Sequence, residues 1–122
     1  MKIGELARRT GVSIRSLRYY EEQGLLKPER GDNGYREYSV LAEEQVRTIQ
    51  FYLGLGLSTE QIAGFLQCVL IHKEAFCSEV LPVYEKKLAE IEEQLALLTA
   101  IRSNLMERIA YIRAESTEEE ER

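Results

Sequence analysis

From Leu81 onward the apolar side chains return at alternating steps of three and four: Leu81, Tyr84, Leu88, Ile91, Leu95, Leu98, then Leu105, Ile109 and Ile112, with Arg102 the polar interruption. Those steps keep one stripe on one side of a helix for about four and a half heptads. At 1.5 Å per residue the stripe is roughly 48 Å long. The segment ahead of it is too small to cover such a stripe, and the chain holds no second helical stretch of comparable length. A second copy of the chain is therefore the expected partner, giving a homodimer through Leu81, Tyr84, Leu88, Ile91, Leu95, Leu98, Leu105, Ile109 and Ile112.

A chain of 122 residues has room for one modest core plus this extension, not for two full domains. We expect a head over residues 1–70, a hinge over 71–80, the dimerisation helix over 81–113 and a solvated acidic tail, "AESTEEEER", over 114–122. The tail has no core-forming residues.

Within the head, "IGELARRTGVSIRSLRYYEE" reads as two short helices joined by a tight turn. Ile3, Leu6 and Ala7 share a face of the first, Gly11 can stop it in the left-handed conformation, Val12 packs in the turn, and Ser13 caps the second. Ile14 and Leu17 supply the apolar face of the second helix. This is a helix-turn-helix pattern. Gly24 then ends the second helix, Pro28 bars a helix interior, and "GDNG" (31–34) offers the positive-φ residues of a turn between two short strands, a hairpin or wing. Ser39 caps a third helix to about Leu53 with Leu41, Val46, Ile49 and Tyr52 or Leu53 inward. Ser58 and Gln61 match a capping box opening a fourth helix that carries Ile62, Phe65, Leu66 and Val69. The fold class is mainly α: a winged helix-turn-helix head followed by a long C-terminal helix.

A formal charge of −5 argues at first against a nucleic-acid partner, but the charge is unevenly placed. Residues 1–38 hold eight Lys/Arg against six Asp/Glu, a net +2, whereas residues 39–122 carry a net −7. Arg8, Arg9, Arg15, Arg18, Arg30 and Arg36 make arginine the main cation of the first part, and its planar fork suits bidentate contacts to phosphate or guanine. A local basic face outweighs whole-chain charge in such recognition. No stretch approaches the ~18–20 apolar residues of a spanning helix, and there is no apolar leader, so no membrane partner is expected and the cytoplasm is the expected location.

The blocks "KIGELARRTGVSIRSLRYYEEQGLL" and "NGYREY", in this order and followed by a heptad helix, resemble the MerR family of bacterial transcriptional regulators over nearly the whole chain. The resemblance implies an antiparallel coiled-coil dimer whose second head helix enters the major groove. On that reading Ser13 opens the recognition helix, Arg15 and Ser16 reach base edges, and Arg18 and Tyr19 meet bases or flanking backbone. Tyr20 could be contact or core. Tyr35 and Arg36, matching the family's "GYR", would clamp phosphates. The partners implied are double-stranded promoter DNA at an inverted repeat and, indirectly through the promoter, RNA polymerase, which meets correctly phased elements once an overlong spacer is kinked and underwound. An effector is implied but not named by the sequence, and no cofactor is expected.

Cys68, His72 and Cys77 stand near the hinge. Cys68 and His72 lie one helical turn apart and could share a metal ion with Cys77, but the family's metal sensors place ligands on a loop after the coiled coil, where this chain has only the acidic tail. The alternatives are a thiol-responsive pair and simple packing of small side chains. In a reducing compartment a structural disulfide comes after these. An enzyme is excluded on inventory: His72 is the lone histidine, and neither a phosphate-binding glycine loop nor a nucleophile elbow is present. A coiled-coil adaptor would leave the arginine helix and wing without purpose. A DNA-bending architectural protein that senses nothing is the stronger rival.

Overall fold

The structure, a computed structural model, describes residues 1–31, 34 and 36–121. Five α-helices and a two-stranded hairpin follow one another: α1 (Ile3–Thr10), α2 (Ile14–Glu22), β1 (Glu29–Arg30), β2 (Arg36–Glu37), α3 (Val40–Gly54), α4 (Thr59–Ile71), a 3₁₀ turn (Glu74–Phe76) and α5 (Val80–Glu121). Two compact units result, Met1–Tyr84 and Glu85–Arg122. The head thus takes in the expected hinge and the first residues of α5. Among the described residues no helix is long and apolar enough to cross a membrane.

Local chemistry sets the α1–α2 turn. Gly11 adopts φ 74°, and its N–H donates to the Ala7 carbonyl, a left-handed cap that a Cβ would strain. Thr10 is the buried polar residue of the turn: its hydroxyl donates to the Leu6 carbonyl at 2.8 Å and accepts from the Val12 N–H at 3.3 Å. Ser13 then caps α2, its Oγ accepting from the Ser16 N–H at 3.1 Å. A helix start secured in this way is worth about 1 kcal/mol.

Leu6, Leu17, Leu26, Val46, Ile49, Ile62, Phe65 and Leu66 form the centre of the head core, with α3 packed on both α1 and α4. The Tyr52 and Phe65 rings meet edge to face at 4.8 Å, and Tyr84 lies beside Tyr52. The Ser58–Gln61 capping box forms in both directions, at 3.1 Å and 2.9 Å. Arg47 bonds Glu43 at 2.9 Å and the Arg9 carbonyl at 2.8 Å, tying α3 to the C-terminal end of α1. The Arg47 hydrogen bond holds the Glu43 carboxyl below its ordinary value.

Two packing expectations fail, and Ser39 stands at the N-cap of α3 without a side-chain cap hydrogen bond among the described residues. Leu41 is 67% exposed, and Ala42 takes the inward place at the start of α3, because positions 42, 46, 49 and 52 form the stripe facing the core. Ile14 is 41% exposed, so Leu17 and Tyr20 carry the buried face of α2. The acidic stretch after residue 113 continues α5 as helix to Glu121. Glutamate is a good helix former, and elongation from an existing helix needs no new nucleus. The 42-residue α5 is therefore about 63 Å long.

Candidate nucleic-acid interface

Helix α2 is amphipathic in a particular way. Leu17 and Tyr20 point into the core, Tyr20 at 6% exposure, which assigns that tyrosine to packing; burial raises its phenol above the usual range. On the outer side Arg15, Arg18 and Tyr19 are exposed, with Ser16 half-buried beside the Ser13 cap. Among the described residues neither Arg15 nor Arg18 forms an ion pair. Two guanidinium groups one helical turn apart are left facing water on a short helix. The phenol oxygen of Tyr19 lies 3.5 Å from the Thr59 hydroxyl at the start of α4, so α4 abuts this face from one side.

The wing flanks it from the other. Strands β1 and β2 pair antiparallel with Glu29 opposite Glu37 and Arg30 opposite Arg36. Gly34, at φ 79°, closes the turn by donating its N–H to the Gly31 carbonyl at 2.9 Å. Tyr35 and the turn centre fall outside the described residues, so the phosphate-contact role expected of Tyr35 has no geometry here. Next to the hairpin, Tyr38 exchanges backbone hydrogen bonds with Met1: its N–H donates to the Met1 carbonyl at 2.7 Å, and its carbonyl accepts from the terminal amino group at 2.8 Å. The N-terminus is thereby bound to the base of the wing.

Glu21, a residue the sequence reading did not single out, joins helix to wing. Its carboxylate accepts from Arg36 Nη1 at 2.9 Å and from the buried Tyr38 hydroxyl. The Glu21 side chain is only 11% exposed, against 59% for Arg36. Arg18, Glu21, Glu22 and Arg36 line one shallow depression, and Arg18 and Arg36 border a second with Lys2, Ile3 and Tyr38. Arg18 and Arg36 thus edge the same surface from two elements. The signal for Glu21 in the sequence is a pair of acidic residues, Glu21 and Glu22, closing a helix whose earlier charges are both arginine.

Of the residues near the hinge, Cys68 and Cys77 come together as a disulfide with Cα atoms 6.0 Å apart. His72 is not with them; it is the exposed C-cap of α4. Glu79 is the third group instead, the two sulfurs and a carboxylate oxygen lying within 4.8 Å of one another. The stripe residues Leu81, Leu88, Leu95, Leu98, Leu105, Ile109 and Ile112 are exposed, while Tyr84 and Ile91 are half-buried.

Residues 1–68 match the family described as MerR HTH family regulatory protein. The transcriptional regulator HmrR of Rhizobium leguminosarum is 37% identical over 105 residues, covering 86% of this chain and 81% of that protein. The mercuric resistance operon regulatory protein of Bacillus cereus is 34% identical over 107 residues, covering 87% and 80%. Among solved structures, a transcription regulator from Ralstonia metallidurans in complex with lead(II) superposes with a TM-score of 0.76 at 25% identity, covering 88% of this chain and 83% of that one. HiNmlR, a MerR family regulator lacking the sensor domain and bound to promoter DNA, gives 0.58 at 25% identity, covering 81% and 75%. These relatives are regulators of transcription, not enzymes, and the chain belongs with them to the MerR family of helix-turn-helix transcriptional regulators.

Proposed function

We propose that two copies of this chain pair through α5 in an antiparallel coiled coil and bind an inverted repeat in promoter DNA, one α2 helix in each of two major grooves. The observation that carries this reading is the outer face of α2, where Arg15 and Arg18 stand exposed without ion-pair partners among the described residues. Arg15 and Ser16 read base edges; Arg18 and Tyr19 meet bases or the adjoining backbone. Arg36 and Tyr35 of the wing hold phosphates and set the register, supplying affinity more than sequence choice. The exposed leucines and isoleucines of α5 support pairing, since an apolar stripe of that length is the seam of a coiled coil.

A two-fold dimer fixes the half-site spacing, and each head strains the spacer between them. Bending a site of this size costs on the order of 1–6 kcal/mol, and each ~1.4 kcal/mol changes a population tenfold. An effector with modest preference for one state can therefore switch access by RNA polymerase. The protein would act in the cytoplasm. Gel shift and footprinting on fragments spanning its own upstream region test the reading: protection of two symmetric half-sites with enhanced cleavage between them is expected. Absence of binding to every such fragment at low salt would overturn it. Identical DNA geometry in all conditions would instead favour an architectural bender.

A thiol-responsive reading is favoured by one observation, the joining of Cys68 and Cys77. A metal-responsive reading, suggested by the relative named for mercuric resistance and the neighbour holding lead(II), requires those two sulfurs to be apart and reduced, with Glu79 as the third donor.

A further inference from the structure

A disulfide in a protein that works on promoter DNA poses a chemical problem. The compartment holding that DNA keeps thiols reduced, and disulfides that form there are for the most part transient or sensing ones. Cys68 and Cys77 meet the geometric requirement for bond formation, with Cα atoms 6.0 Å apart. They also differ in access: Cys77 is 4% exposed, whereas Cys68 is only partly buried. An entering oxidant reaches Cys68 first and leaves Cys77 to resolve.

Both cysteines stand at helix ends. The Cys68 carbonyl accepts the His72 N–H that caps α4, at 2.8 Å, and the Cys77 carbonyl accepts the Val80 N–H that opens α5, at 3.3 Å. The bond therefore pins the last turn of α4. At the other end of α4 the Ser58 capping box holds the first turn, and Thr59 meets Tyr19 of α2. A 13-residue helix of about 20 Å is thus held by sulfur at one end and touches the DNA-facing helix with the other.

We infer that Cys68 and Cys77 form a reversible two-electron redox site whose state, transmitted along α4, sets the affinity of the head for DNA. The oxidant is hydrogen peroxide. The Cys68 thiolate attacks the peroxide: an S–O bond forms, the O–O bond breaks, and the leaving hydroxide takes a proton to become water. The Cys77 thiolate then attacks the Cys68 sulfur, forming S–S and breaking S–O, with a second water leaving. Two thiols are oxidised by two electrons and one peroxide is reduced to two waters. A dithiol reductant reverses the change by exchange. The DNA half of this inference rests on the function proposed above; the redox half does not.

The test uses the full chain in two arms. In the first, protein reduced with dithiothreitol is treated with hydrogen peroxide at a slight excess, quenched in acid, labelled with a maleimide and weighed by mass spectrometry. Loss of two hydrogens with no label on oxidation, and recovery of two labels on re-reduction, is expected. Two labels after peroxide, or a bond that survives excess dithiothreitol under native conditions, would overturn the redox site. Protection of both thiols by zinc(II) together with no peroxide response would also overturn it, in favour of a metal pair.

In the second arm, DNA affinity is compared between states by fluorescence anisotropy. A difference of at least about fivefold is expected, with Cys68→Ser and Cys77→Ala fixed near the reduced value and blind to peroxide. Cys68 is the safer variant because it is not fully buried, and far-ultraviolet circular dichroism verifies its fold. Equal affinity in both states would overturn the coupling through α4. Failure of both states to bind DNA, with the first arm positive, would count against the operator reading and leave the redox site standing.

Discussion

Arg36 Nη1 of the wing lies 2.9 Å from Glu21 Oε2 at the end of α2, so the guanidinium proposed to hold phosphate is already engaged by a carboxylate of its own chain. Phosphate must either displace Glu21 or share the guanidinium with it. Replacing Glu21 with Gln keeps an acceptor for the Tyr38 hydroxyl and removes the competing charge. Glu21→Gln is expected to raise affinity for random-sequence DNA severalfold and to steepen its dependence on salt. Anisotropy titrations across a salt series check this; weaker binding at every salt concentration would show that Glu21 serves to aim Arg36, not to restrain it.

The division of labour between helix and wing has its own signature. Arg15→Ala should cost about 1–3 kcal/mol on the best operator and little on altered sequences, compressing discrimination. Arg36→Ala should weaken all sequences about equally and reduce the salt slope by about one. Competition assays with a panel of single-base variants separate the two; equal compression by both substitutions would mean that the roles are wrongly divided.

Alkaline pH should loosen the base of the wing. Burial first, and then the hydrogen bond and charge of Glu21, raise the Tyr38 phenol well above its ordinary value of 10.0. The fold therefore favours the neutral phenol. Its contribution is fully present below about pH 10, the unfolded value, and is lost as pH climbs toward the higher folded value. Thermal midpoints measured between about pH 8 and 11 should fall more steeply for the wild type than for Tyr38→Phe. A residual slope from Tyr20, Tyr52 and Tyr84, whose phenols are also raised, should remain. At neutral pH the variant should lose about 1–3 kcal/mol with the hydrogen bond to a charged acceptor. Parallel curves would place the alkaline sensitivity elsewhere.

Pairing through α5 makes a prediction about mass. Leu95 and Leu98 are 58% and 61% exposed in the single chain, and full burial of a leucine is worth about 1.5–3 kcal/mol. Substituting both with Glu should shift sedimentation equilibrium from twice the 14.1 kDa chain mass to the monomer value and lower operator affinity by at least about tenfold. An unchanged mass would require another interface.

The sequence made the order of elements legible because their punctuation is chemical: Gly11, Ser13, Ser58 and Gln61 each have a bonding role that the structure fills. Periodicity was less exact at the first turn of α3, where a large Leu41 competes with a small Ala42 for the same stripe and size misleads; the neighbouring helices decide in favour of alanine. The tail was obscure for a different reason, since a run of glutamates carries no apolar signal, yet extends a helix already begun. Tyr20 is ambiguous in the sequence and is placed by the core. The role of Glu21 was not legible, because it depends on three-dimensional return: Glu21 meets residues 15 and 17 positions away. The Cys68–Cys77 pair stands among the alternatives the sequence offers, and the helix end and 3₁₀ turn between the two cysteines bring them together.

Thr10 offers a different kind of consequence. Its hydroxyl is simultaneously donor to one helix and acceptor from the residue leading into the next, so the bend between α1 and α2 is braced by a two-way hinge pin. Valine there would match its shape and strand the Val12 amide; serine would keep the brace. If α2 reads bases as proposed, which of them it can address is governed partly by this buried side chain, one oxygen atom trimming the pitch of the reading head.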